Sequence, residues 1–259
     1  MHKLCFAAAD GLEYIEMLDL IKAVGFEGYF THPYIACEID KMRAVKEHGD
    51  TLSLYCETSH SVMAGCMTIW EDGSEGDQYI ETLKGNIDNC VALGIPILIV
   101  HIKPNFDASP CFERGIERLK KLVAYAADKN IKIAFENINN EEYLIKTLDV
   151  FKEPHVGFCL DVGHESCNTP GTEFLPQIGD RLFCTHIHDN DLIHDEHMIP
   201  FDGNIDFERL CRQLKECGYK GCLTVEVKYS EYYKERFSKE EFVERAFNAA
   251  KKLKSMMEQ

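Results

Sequence analysis

The sequence predicts a single eight-stranded α/β barrel, a (β/α)8 fold, spanning residues 1–259. Short apolar runs alternate with longer amphipathic segments from end to end, and the alternation repeats eight times without a low-complexity linker. The length of 259 residues matches the roughly 250 that such a barrel takes. An open doubly wound sheet is the alternative, but its first turn should be rich in glycine, and Ala8-Ala9-Asp10-Gly11 is not.

The strands are predicted from apolar runs, of which the fourth is almost continuously apolar, as in a buried parallel sheet. In order they are Leu4–Ala9, Gly28–Thr31, Leu52–Glu57, Pro96–Ile102, Lys132–Ile138, Val156–Val162, Leu182–His188 and Cys222–Lys228.

The helices are predicted from apolar residues at helical spacing and from their end signals. Gly25 ends the first helix, and Ser238 with Glu241 has the spacing of a capping box at the start of the last. The helices between them are predicted at Ile39–Glu47, Asp77–Leu93, Pro110–Asp128, Glu141–Phe151, Glu173–Ile178 and Phe207–Cys217.

Composition narrows the functional classes. The net charge of −16, from 28 basic and 44 acidic residues, disfavours a nucleic-acid partner, which needs clustered positive charge. No apolar run is long enough for a membrane span, and the N-terminus lacks the features of a signal peptide, so we expect a cytoplasmic protein. Twelve scattered cysteines without C-x-x-C spacing are expected to be reduced. The oligomeric state stays open, with a homo-oligomer as one outcome.

Titratable residues occur near the predicted ends of six consecutive strands, where a barrel carries its catalytic groups. They are Glu57 and His60, His101, Glu136, Asp161, His186 and Glu226. Apolar neighbours flank each of them, and burying so many unpaired charges is costly. A bound divalent cation would neutralise several carboxylates at once. We therefore predict one divalent metal, and carboxylates with imidazole suit Mn²⁺, Mg²⁺, Co²⁺ or Zn²⁺.

Strand alternation extends the predicted site. His186 and His188 point to the same side of their strand, so His188 is predicted to line the pocket above His186. Lys228 lies on the same side as Glu226. Lys228 is therefore expected either to bind a substrate oxygen or phosphate, or only to balance charge.

Two long loops, residues 59–76 and 189–206, depart from the short connections of the pattern. The first contains Met63, Met67 and the only tryptophan, Trp70. One interpretation is a lid that closes over the pocket, excludes water and lets Trp70 contact the substrate, and the other is a tolerated insertion.

Four motifs resemble the xylose isomerase-like barrels, the sugar phosphate isomerase/epimerase family. They are Phe135-Glu136-Asn137, Leu160-Asp161-Val162-Gly163-His164, His186-Ile187-His188-Asp189 and Gly203-Asn204-Ile205-Asp206-Phe207, followed by Val225-Glu226. The resemblance spans nearly the whole chain. It implies that Glu136, Asp161, His186 and Glu226 are metal ligands, that His164 binds substrate, and that the two glutamates are the acid and base.

The same resemblance includes an apurinic-endonuclease branch with more metal ligands. His60 and His101 fall where its further histidines lie, and Asp195-Glu196-His197 looks like its extra ligand pair. In an epimerase, His60, His101 and His197 would instead contact the substrate.

The function expected from the resemblance is isomerisation or epimerisation of a sugar, sugar phosphate or inosose through a metal-stabilised enediolate. A lyase or dehydratase on a sugar-like substrate would use the same ligands. A metal-dependent phosphodiesterase would need two or three metals. A non-catalytic sugar-binding barrel would need no acid–base pair, and the presence of both Glu136 and Glu226 argues against it.

Overall fold

The computed structural model describes residues 2–139 and 141–259, over which eight parallel strands form a barrel surrounded by helices. The strands are β1 Leu4–Asp10, β2 Gly28–Thr31, β3 Tyr55–His60, β4 Ile97–His101, β5 Lys132–Glu136, β6 Val156–Asp161, β7 Leu182–His186 and β8 Leu223–Lys228. The helices are α1 Tyr14–Val24, α2 Ile39–Thr51, α3 Glu75–Leu93, α4 Phe112–Asp128, α5 Glu141–Val150, α6 Val162–Cys167, α7 Leu175–Ile178, α8 Phe207–Glu216, α9 Glu231–Lys234 and α10 Lys239–Glu258.

The sheet is ordered β7-β6-β5-β4-β3-β2-β1-β8, and its two ends meet just beyond β7. There the amide of Ile187 donates to the carbonyl of Thr224 at 2.8 Å, and the amide of Glu226 donates to the carbonyl of Ile187 at 3.1 Å. These bonds close the barrel at the level of the strand ends. The predicted fold class is therefore confirmed.

The helix signals in the sequence operate as expected at both ends of the chain. Gly25 takes φ of 109° after α1, a conformation that glycine adopts without strain. Ser238 Oγ accepts from the amide of Glu241 at 3.2 Å, and Glu241 Oε2 accepts from the amide of Ser238 at 2.8 Å. The predicted capping box at the start of α10 is thus confirmed.

Strand β3 lies three residues later than the sequence pattern indicated. Leu52 ends α2 by donating its amide to the carbonyl of His48, and Ser53 takes φ of 56°, so the chain turns before β3 begins. Glu57 consequently lies lower in the barrel, where Thr224 Oγ1 donates to its carboxylate at 2.6 Å. The placement of Glu57 among the strand-end groups was wrong.

Apolar side chains fill the barrel beneath the strand ends. A compact cluster within the barrel comprises Ile97, Ile99, Ala134, Cys159 and Cys184, while the larger core lies between strands and helices. All twelve cysteines are free thiols. Within residues 2–139 and 141–259, no helix combines the length and apolarity needed to cross a membrane.

Candidate active site

The four predicted metal ligands converge at the carboxyl ends of β5, β6, β7 and β8. His186 Nδ1 lies 3.1 Å from Glu136 Oε1, 3.1 Å from Glu226 Oε2 and 4.0 Å from Asp161 Oδ2. All four side chains are buried. Ligands placed about 2.1 Å from one cation would lie roughly 3.0–3.5 Å apart. Both glutamates lie at this spacing from His186, Asp161 lies slightly beyond it, and carboxylates with an imidazole suit a divalent ion.

Charge balance at this site depends on His186. Burial alone would lower the pKa of His186, but Glu226 and Glu136 outweigh it and hold the pKa well above its usual value. Burial would likewise raise the pKa of Glu226, whereas His186 lowers it well below the ordinary carboxyl value. The imidazole of His186 thus lies between two carboxylates, where its Nδ1 would be the nitrogen ligand of a bound cation.

A second group of ligand atoms adjoins the first at Glu136. The other oxygen of this carboxylate, Oε2, lies 2.9 Å from His101 Nε2 and 3.1 Å from His60 Nε2, and the two nitrogens are 3.1 Å apart. His60 Nδ1 donates to the carbonyl of Ser61 at 2.8 Å. That bond leaves the lone pair of His60 Nε2 facing Glu136, the orientation that a backbone carbonyl imposes on metal-binding histidines.

A third group forms above Asp161 from the long loop after β7. His164 Nε2 lies 3.2 Å from Asp195 Oδ2, and His197 Nε2 lies 3.5 Å from Asp195 Oδ1. Burial would lower the pKa of His164, but Asp161 and Asp195 raise it to about 10. His164 Nδ1 donates to the carbonyl of Asn137 at 3.0 Å, and His197 Nδ1 to the carbonyl of Glu226 at 3.3 Å.

His188 does not line the pocket, contrary to the prediction. Its side chain is fully buried, and its Nε2 lies 3.0 Å from Asp161 Oδ1. Its ring stacks on that of His197 at a centroid distance of 3.9 Å. The strand ends at His186, and Gly163 makes room for His188 beside α6, since a Cβ there would lie 1.8 Å from the His188 ring. His188 therefore orients Asp161.

Trp70 is also absent from the pocket, so its predicted part in a lid and in substrate binding is wrong. It is fully buried, stacks on Phe112 at 5.9 Å and meets the edge of Tyr143 at 4.8 Å. Gly115 of α4 admits the indole, because a Cβ there would lie 2.0 Å from it. Gly115, in the first turn of α4, is the one sequence feature connected with this packing.

A cavity of about 480 Å³ opens above these groups. Of the predicted site residues, it is lined by His60, His101, Glu136, His164, His197, Glu226 and Lys228, while Asp161 and His186 lie beneath it. Lys228 Nζ is 3.6 Å from Asp10 Oδ2. His32, Tyr34 and Lys103 also line the cavity and were missed, although the His32-Pro33-Tyr34 segment directly follows the correctly predicted β2.

One buried carboxylate organises the loop of residues 189–206. Asp189 accepts four backbone amides at 2.8–3.0 Å, from Asn190, Phe201, Gly203 and Ile205. Its own amide and carbonyl pair with Met198 at 2.9 Å each. These bonds fix the segment that carries Asp195 and His197.

Comparison with known proteins agrees with this architecture. Residues 5–257 match the model of the family described as xylose isomerase-like TIM barrel. The chain belongs to this family. An inosose isomerase of Halalkalibacterium halodurans is 24% identical over 94% of this chain and 93% of its own length. In three further relatives, the region that matches this chain spans 61%, 56% and 63% of the relative's own length.

Solved structures of sugar epimerases share the fold. The D-psicose 3-epimerase of Clostridium cellulolyticum H10, with D-tagatose, superposes with a TM-score of 0.82 at 10% identity and covers 99% of each chain. The 3-keto-D-glucoside 4-epimerase of E. coli gives a TM-score of 0.75 at 17% identity, over 98% of this chain and 99% of that one. At these identities the likeness concerns the fold.

Proposed function

We propose that the chain is a divalent-metal-dependent isomerase or epimerase of a sugar, sugar phosphate or inosose. The observation that carries the proposal is the pair Glu136 and Glu226, both lining one cavity and both contacting His186. Inosose isomerases and ketose epimerases among the relatives agree with this substrate class. Bound Mn²⁺, Mg²⁺, Co²⁺ or Zn²⁺ would polarise a substrate carbonyl.

Residues of the chain supply the proton transfers. One glutamate removes the proton next to the carbonyl to give an enediolate, and the other protonates the opposite face to give the epimer. Reprotonation at the neighbouring carbon gives the aldose–ketose isomer instead. We assign Lys228, His164 and His197, which line the cavity, to hold substrate oxygens.

The test is a panel of ketoses, inososes, 3-keto-glucosides and their phosphates, assayed with and without added Mn²⁺. Conversion of at least one compound to its epimer or isomer, lost on chelation, is the expected result. Elimination of water from the same compounds would favour the lyase, which uses the same ligands. No conversion of any kind would reject the proposal.

A metal-dependent phosphodiesterase is the second candidate, favoured by the two additional ligand groups. In both groups, histidines donate Nδ1 to a backbone carbonyl and turn Nε2 toward a carboxylate, as His60 and His164 do. The net charge of −16 argues against nucleic acid as its substrate. The number of tightly bound metals separates the two candidates.

We expect one tightly bound metal per chain, in the wild type and in His197→Ala, because His197 belongs to the substrate loop in an epimerase. Metal content after gel filtration is the measurement, with His194→Ala as control, since His194 is an exposed histidine of the same loop. Two or three metals in the wild type, falling in His197→Ala but not in His194→Ala, would favour the phosphodiesterase.

A further inference from the structure

The cavity continues outward from the ligand groups to a mouth whose walls differ in character. The loops after the neighbouring strands β2 and β3 contribute five of the lining residues, Pro33, Tyr34, Met63, Cys66 and Met67, which we call the apolar shelf. Charged groups, including Asp195 and Lys228, line other parts of the cavity. The cavity volume of about 480 Å³ lies within the range of about 300–1,000 Å³ that is usual for small-molecule sites.

Tyr34 is the most exposed member of the shelf, yet its position is fixed. Its side chain is 67% exposed, and its ring packs on that of His32 at a centroid distance of 4.4 Å. His32 Nε2 donates to the carbonyl of Ala9 at 3.1 Å, and its Nδ1 accepts the amide of Tyr34 at 3.5 Å. A neutral imidazole provides this donor and acceptor together.

The charge state of His32 agrees with that arrangement. Burial lowers the pKa of His32 to about 4, although Glu226 opposes the effect. The ring is therefore uncharged at neutral pH. It supports Tyr34 as an aromatic neighbour without attracting an anion to the mouth.

The methionine side of the shelf is equally anchored. Met67 is 41% exposed and lies on the short 3₁₀ helix Cys66–Trp70. Arg118, buried beneath it, donates to the carbonyls of Thr68, Ile69, Glu71 and Gly73 at 2.6–3.0 Å. Together with the buried Trp70, these bonds hold the segment in place. The shelf is thus preformed, as a binding subsite is expected to be.

We infer that the apolar shelf is a second subsite, which binds a ring with an apolar face attached to the sugar held at the ligand groups. The inference rests on the proposed function. It specifies the substrate as a sugar that carries an aryl or second pyranose ring, in preference to a free monosaccharide. An exposed tyrosine ring stacks on flat apolar faces, and methionine adapts to their outline. Such remote contacts lower KM and help to orient the reacting sugar.

The experiment measures binding and turnover separately. Methyl glucoside, phenyl glucoside and cellobiose, which have no ketone at C3, are titrated calorimetrically into the metal-loaded enzyme. The 3-keto derivatives of the two glucosides are assayed for turnover. The variants are Tyr34→Ala and Met67→Ala. The matched control is Tyr232→Ala, since Tyr232 is 51% exposed and does not line the cavity.

Phenyl glucoside or cellobiose should bind about two- to tenfold more tightly than methyl glucoside, and Tyr34→Ala should bring the ratio close to one. Tyr232→Ala should retain the preference. Equal affinity in the wild type, no measurable binding of the ring-bearing probes, or a preference that survives both shelf substitutions would overturn the subsite. A ring preference without turnover of these two keto derivatives or of any compound in the panel above would instead reject the proposed function and leave the subsite standing.

Discussion

Glu226 is the residue on which the proposed chemistry depends most directly, because it faces the cavity and contacts His186. Glu226→Gln is nearly isosteric but cannot accept a proton. We expect the fold to persist and kcat to fall by about 10²–10⁴-fold, the usual contribution of general base catalysis. Metal content must be measured on the same sample, since a ligand charge is also removed.

The matched control is Glu57→Gln, which alters another buried glutamate outside the cavity lining. It should retain kcat within about twofold. Equal loss of activity in the two variants, or full activity in Glu226→Gln with normal metal content, would contradict the role of Glu226.

Glu57 also carries a prediction about stability. Burial raises the pKa of Glu57 above 4.5, although Thr224 and the amide of Cys222 oppose the effect. The folded state therefore binds this proton more tightly than the unfolded state. Its stabilising contribution is complete below pH 4.5 and is lost as the pH rises toward the raised folded pKa.

Glu57→Gln removes that loss because an amide does not titrate. The free energy of unfolding of Glu57→Gln minus that of the wild type should therefore increase between pH 4.5 and pH 8. The increase is about 1.4 kcal/mol for each tenfold difference between the proton affinities of Glu57 in the folded and unfolded states. Urea denaturation at both pH values measures it. Parallel pH dependences of the two proteins would show that Glu57 does not titrate as proposed.

Single residues were predictable from sequence where the strand end itself determines their position. Glu136, Asp161 and His186 end three neighbouring strands, and the parallel register brings them together. His188 and Trp70 were misplaced because their surroundings depend on space left by Gly163 and Gly115 in helices that pack against them. Such complementary space is a tertiary property that periodicity does not reveal.

At the scale of elements, the loop of residues 189–206 depends on Asp189. In Asp189→Asn one oxygen becomes an amide nitrogen, which leaves two of the four backbone donors without an acceptor. Each costs about 1–3 kcal/mol when buried. We expect faster hydrogen exchange at Phe201, Gly203 and Ile205, with the strand amides still protected, and a reduced kcat/KM.

Asp191→Asn is the control in the same loop, because the Asp191 carboxylate accepts the nearby amides of Ile193 and His194 and contacts the His194 ring. Its effect on exchange should stay within that segment. Unchanged exchange in Asp189→Asn, or a uniform loss of protection across the barrel, would contradict a local clamp.

Element boundaries were predicted well where a cap or glycine marks them and poorly where the chain turns without one. The capping box fixed the start of α10, and Gly94 marks the end of α3. The start of β3 was missed because Ser53 adopts a left-handed conformation without a glycine. Helix α6 was also missed, since its N-cap is Asp161, a residue assigned only to the metal site.

The whole molecule joins an acidic surface to a site that concentrates carboxylates and histidines at one end of a barrel. The alternating sequence pattern predicted this architecture because each strand must be buried on both faces. The reaction was less predictable, since epimerase, isomerase and lyase differ in where a proton or leaving group goes, while the ligand residues are the same.

Solvent deuterium incorporation tests the central claim, that the site transfers protons next to a carbonyl. The metal-loaded enzyme is incubated in D₂O with whichever ketose, inosose or keto-glucoside of the panel it converts, and the product is examined by NMR and mass spectrometry. We predict one deuterium at the carbon that is inverted or newly protonated, and its loss in Glu226→Gln at equal metal content. Conversion without deuterium at that carbon, or hydrolysis of a phosphodiester with no conversion of any sugar, would contradict the account.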